Sequence, residues 1–139
     1  MKLNDIFTRN VITAAPQDTL ASVAASMQEH NVGTVVIVED RRPVGIIIDR
    51  DLALALGAWG LGLKAPVREV MTRHVLAVPE DTDVFTATRF IQDRKVRRLP
   101  IVDREDRLVG LVSPDDLLRW LARELSNLAE GIGPEVQVK

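Results

Sequence analysis

The stretch "KVRRLPIVDREDRLVGLVSPDDL" at residues 95–117 decides the fold, because "NVGTVVIVEDRRPVGIIIDRDL" at residues 31–52 repeats it. Both run from an apolar segment through a polar turn into a second apolar segment, and both end on an acidic helix start. The match extends upstream, where "FTRNVITAAPQDTL" (7–20) pairs with "MTRHVLAVPEDTDV" (71–84). Identical pairs include Thr8 and Thr72, Arg9 and Arg73, Val11 and Val75, Pro16 and Pro79, Asp18 and Asp81, Thr19 and Thr82, Gly45 and Gly110, and Asp51 and Asp116. The offset drifts only from 63 (Asp18 to Asp81) to 65 (Asp51 to Asp116), so the copies differ by single-residue insertions. A repeat of this length fixes the architecture before any propensity is consulted.

Each copy reads the same way. Leu20, Val23, Ala24 and Met27 fall at helical spacing, as do Val84, Ala87, Thr88 and Ile91, which predicts one amphipathic helix per copy with Thr19 and Thr82 as N-caps. Apolar runs follow at Val35–Val38 and Val44–Ile48, and again at Leu99–Val102 and Leu108–Val112. The turns "EDRRP" and "DREDR" join each pair into a hairpin, and the absence of polar alternation predicts sheets covered on both faces. A second helix starts near Asp51 or Asp116, and a short first strand is expected around Val11 or Val75. The expected order is β-α-β-β-α twice, an α/β (α+β) fold. A single unit of about 60 residues has only a marginal core, so a pseudo-twofold pair is predicted. The boundaries are 1–62 and 63–126, joined through "GAWGLGLKAPVREV" (57–70), with a loosely held tail at 127–139.

Composition excludes several functions. The hydrophobic fraction of 46% and charged fraction of 27% are those of a folded globular chain rather than a disordered one. No apolar run reaches the ~20 residues that span a bilayer, and residues 1–10 lack a secretory pattern, so neither membrane insertion nor export is expected. With no cysteine there is no disulfide framework, which fits a reducing, cytoplasmic setting. A net charge of -2 argues against nucleic acid as a partner. His30 and His74 sit in no metal-ligand or triad pattern, and no phosphate loop or paired-carboxylate motif occurs. Catalytic residues, bound metal and a required cofactor are therefore not expected.

"DIFTRNVITAAPQDTL", "GIIIDRDL", "VREVMTRHVLAVPEDT", "KVRRLPIVD" and "GLVSPDDLL" together resemble a tandem pair of cystathionine β-synthase (CBS) type domains, over residues 1–126. The resemblance implies a regulatory module that binds AMP, ADP, ATP, S-adenosylmethionine or NAD in clefts between the repeats. It also implies a disc-like homodimer acting on an effector protein. The clefts are expected crosswise. Ser113 and Asp116, with Asp115 beside them, would clamp a ribose and face Asn10, Val11 and Ile12 together with Val32, Gly33 and Thr34, with Leu111 and Val112 as walls. A carboxylate can accept bonds from both ribose hydroxyls, and Gly33 lets a flat base approach the backbone. The same Ser-Pro-Asp-Asp pattern is also a strong helix start that needs no ligand.

A second cleft would set Asp51 against Val75, Leu76, Val96 and Arg97. There Ile48 stands where the clamp's hydroxyl is expected, so this cleft is read as the weaker one, with Asp51 serving either as clamp or only as helix-start acid. Arg98 and then Arg97 are the expected phosphate contacts, and strand alternation is expected to keep the two out of one cleft. The alternative is a module that works by protein contact alone, with Trp59 and Trp120 as anchors.

Overall fold

A computed structural model describes residues 2, 3, 6, 7 and 9–133. Thr8, one of the repeated positions, and residues 134–139 of the expected tail lie outside the described residues. The first copy comprises β1 (Thr13–Ala14), α1 (Leu20–His30), β2 (Thr34–Glu39), β3 (Arg42–Ile48) and α2 (Asp49–Gly57). The second comprises β4 (Val78–Pro79), α3 (Val84–Arg94), β5 (Leu99–Val102), β6 (Leu108–Val112) and α4 (Pro114–Ile132). Each makes its own sheet, in the orders β1-β2-β3 and β4-β5-β6. The first pair of strands is parallel and the second antiparallel in both sheets.

The expected order thus holds twice over, with three local corrections. The first strands begin two to three residues later than Val11 and Val75, because pairing starts only where Thr13 meets Val36 and where Val78 meets Ile101. Thr19 caps α1 as expected, its Oγ1 accepting from Ser22 N at 3.1 Å. Thr82 does not cap α3, since Asp83 takes that place, its Oδ2 accepting from Phe85 N at 3.0 Å. The third correction concerns α4, which continues to Ile132, so Leu128–Ile132 extend the helix instead of forming loose chain.

Two cores form, one per copy. Leu20, Val23 and Met27 of α1 pack on Val35, Ile37 and Ile47, and Val84 and Ala87 of α3 on Leu99, Ile101 and Val112. Val36 is buried on the opposite face of β2, which gives the two-sided cover that the unbroken apolar run implies. Each core is completed from the other half. Leu3 and Phe7, at the start of the first copy, fill the second core, whereas Val67 and Val70, from the start of the second copy, fill the first. Backbone bonds fix the exchange: Leu3 N to Thr82 O at 3.0 Å, Val67 N to Asp18 O at 2.7 Å, and Ile46 and Thr72 bonded in both directions.

The exchange explains the repeated glycines. A Cβ at Gly110 would collide with the Phe7 ring, and one at Gly45 with the Met71 side chain. At the sheet ends the copies also touch directly, through Leu108 N to Arg41 O at 2.7 Å and Arg42 Nε to Glu105 O at 3.1 Å.

Candidate functional site

Helix α4 starts as its sequence dictates. Ser113 is extended (φ -122°, ψ 165°), Pro114 occupies the first turn, and the Ser113 hydroxyl accepts from Asp116 N at 3.3 Å. Asp116 Oδ2 reaches back to Ser113 N at 2.9 Å and to Ser113 Oγ at 3.0 Å, closing a capping box. Its other oxygen accepts from Arg119 Nη2 at 3.0 Å. The Arg119 side chain is 71% exposed, and such a surface pair at i,i+3 contributes little.

The box lines a cleft of about 250 Å³, together with Leu111, Asn10, Val11, Ile12, Val32, Gly33, Thr34 and Arg98. The cleft thus brings together, from both copies, most of the residues that the resemblance set crosswise. Residues 10–12 lie just before β1, where Ile12 O accepts from Val36 N at 3.0 Å. Gly33 has a second constraint beyond openness to a ligand: a Cβ there would come 3.0 Å from the Asp49 carboxylate, whose backbone N–H bonds Gly33 O. Two expected members fall elsewhere. Val112 is fully buried in the second core, and Asp115 turns to the other cleft, because successive helix residues point about 100° apart.

The other cleft, of about 530 Å³, is lined by Val75, Leu76, Val96 and Arg97 as expected, and also by Ile46, Ile48, Arg50, Thr72, His74, Arg98, Pro114 and Asp115. Asp51 is not on its wall. Its Oδ2 accepts from Ile48 N at 2.9 Å, the role of a helix-start acid, and Ile48 offers no hydroxyl to complete a box. Arg97 and Arg98 do line one cleft together, contrary to the alternation argument. They precede β5, which begins at Leu99, so strand geometry does not govern them. Arg98 also lines the first cleft, its Nε donating to Thr34 Oγ1 at 3.2 Å and its Nη1 to Arg97 O at 2.8 Å.

Sequence reasoning missed Arg50, Thr72 and His74. For two of them the repeat itself carried the signal, since Thr72 and His74 align with Thr8 and Asn10, and Asn10 was already assigned to the first cleft. The charges of the clefts differ. Among the described residues, the first sets one arginine against one aspartate, and the second sets three arginines against one aspartate. Among the described residues no group of His, Cys, Asp and Glu could hold a metal ion, and no helix is long and apolar enough to cross a membrane. Trp59 is exposed in the connector, and Trp120 packs against the second core.

Two clefts between twin β-α-β-β-α units define a class of tandem-repeat module, and comparison supplies its family. The CBS domain model matches residues 3–58 and 67–123, and the chain belongs to the CBS domain family. It is 34% identical to the CBS domain-containing protein YhcV of Bacillus subtilis, over 93% of this chain and 89% of that protein. It is 36% identical to MK0525 of Methanopyrus kandleri, over 86% of this chain but 62% of that longer protein. Among solved structures, the CBS domain pair of MJ0100, in complex with 5′-methylthioadenosine and S-adenosyl-L-methionine, superposes with a TM-score of 0.77. That pair is 29% identical, over 89% of this chain and 98% of its own.

Proposed function

We propose that the chain is a regulatory module that binds an adenine nucleotide or another adenosyl ligand in the first cleft, with Asp116 and Ser113 holding the ribose. The observation that carries this reading is the capping box placed on a cleft wall opposite Asn10–Ile12 and Val32–Thr34. Asp116 keeps acceptor capacity on Oδ1 once the exposed Arg119 swings away, and bonds to an ionised acceptor are the stronger kind. The backbone of residues 10–12 reads the base edge, Gly33 leaves room for its plane, and Arg98 meets a phosphate. The adenosyl ligands of the MJ0100 pair support the ligand class. The ligand acts as a sensor signal: by tying α4 to the β1–β2 side it selects one placement of the repeats, and a cytoplasmic effector protein reads that placement.

A thermal-shift panel of AMP, ADP, ATP, S-adenosylmethionine, NAD and GTP tests the proposal. At about 100 times its dissociation constant a ligand stabilises the fold by about 2.7 kcal/mol, which raises the melting temperature by several degrees. The shift is expected to vanish in Asp116→Ala and to survive in Asp51→Ala.

One feature favours a second reading, a module acting through protein contact, whether with its own copy as a homodimer or with another chain. Leu118, Leu125, Leu128 and Ile132 stand exposed along α4, which buries only Leu117 completely enough to count as core. No shift with any of the six ligands, in a chain that self-associates, supports that reading instead.

A further inference from the structure

Asn31 aligns with Lys95, an offset of 64, so Thr34 and Arg98 are corresponding positions of the two copies. They are also in contact, Arg98 Nε donating to Thr34 Oγ1. Equivalent residues meet in this way only near the pseudo-twofold axis, and there the repeat is broken: one copy supplies a hydroxyl and the other a guanidinium. The consequence is a single cation at the junction of two clefts, lining both. Among the described residues it is the only arginine on the wall of the first cleft, whereas the second also has Arg50 and Arg97.

We propose that Arg98 is shared between the clefts, so that an anion held in the second weakens the binding of a phosphate-bearing ligand, but not of an uncharged nucleoside, in the first. The inference rests on the nucleotide reading of the first cleft and adds its regulation. A guanidinium has five N–H donors in a rigid plane, and two of the Arg98 nitrogens already bond Thr34 and the Arg97 carbonyl. Turning that plane to an anion among Arg50, Arg97 and His74 withdraws it from Thr34. The anion left in the second cleft also cancels the positive potential that a phosphate in the first would meet. An adenosine without phosphate makes no demand on Arg98 and is indifferent to both effects. Linkage makes the penalty reciprocal, and couplings of this kind amount to roughly 5- to 150-fold.

The test uses the full chain, with inorganic tripolyphosphate as the probe for the second cleft at constant ionic strength. Backbone amides of Gly33 and Val96 report the two clefts separately by NMR. Tripolyphosphate is expected to shift Val96, to weaken AMP at Gly33 by about fivefold or more, and to leave adenosine within about twofold. In Arg98→Gln, which keeps an N–H for Thr34 but no charge, the AMP penalty is expected to fall to within about twofold of none. Arg50→Gln, which leaves Arg98 in place, should weaken tripolyphosphate while preserving the penalty once the anion is bound.

Equal weakening of AMP and adenosine, an unmoved Val96, or a penalty that persists in Arg98→Gln overturns the sharing. If AMP and adenosine bind and tripolyphosphate changes neither, the sharing alone fails. If neither moves Gly33, the nucleotide reading fails with it.

Discussion

At Gly110 one methyl group decides whether the second core can close, because the Phe7 ring occupies the space a side chain would need. Gly110→Ala is expected to destabilise the protein by about 1–3 kcal/mol, measured by urea denaturation. Gly45→Ala should be milder, since the atoms in its way belong to Met71, whose unbranched side chain can move aside.

Asp103 offers a second residue-scale test. Its carboxylate is held below the usual aspartate range, chiefly by the Arg107 backbone N–H, with further donation from Glu105 N and the Arg107 side chain and opposition from partial desolvation. A lowered folded pKa means that the contribution to the β5–β6 turn is complete above the ordinary aspartate value and is lost as the pH falls through the lowered one. The Arg107 amide should therefore titrate with a midpoint below that of an unstructured aspartate. The repeat made Gly110, Ser113 and Asp116 legible before any coordinates. It did not disclose what Gly110 receives, since Phe7 lies about a hundred residues away in sequence and no local pattern links them.

At the scale of elements, the second helices of the two copies, α2 and α4, start differently. Ser113→Ala removes the hydroxyl that caps α4 and should cost about 1 kcal/mol of stability. Ile48→Ser is expected to work in the opposite direction, giving α2 the cap it lacks and completing the box with Asp51, for a gain of up to about 1 kcal/mol. Thermal melting of the two variants checks both signs. Helix and strand identities were legible here because apolar spacing is a property of the element alone. Their ends were less so. Asp83 displaced Thr82 as cap because a carboxylate one position on competes for the same N–H groups, and β1 and β4 start where a partner strand is present rather than where the apolar residues begin.

For the molecule as a whole, the exchange of Leu3 and Phe7 against Val67 and Val70 makes the halves interdependent. Fragments 1–62 and 63–139 made separately are expected to lack a cooperative unfolding transition, because each contains the segment that completes the other. Mixing them should restore the transition, as followed by circular dichroism. The pairing of the copies was legible from their size and repetition, and the crosswise clefts from the resemblance. The route by which each core borrows from its twin was not, because Leu3 and Val67 look the same whether they fold onto their own copy or across.

That crossing also sets how the molecule carries load. A pull on the chain ahead of Leu3 is delivered not to the neighbouring first core but to the distant one, where Leu3 and Phe7 are seated among Val84, Leu99 and Val112. Tension applied there is borne first by the second core, so any tether upstream has its mechanical anchor in the opposite repeat.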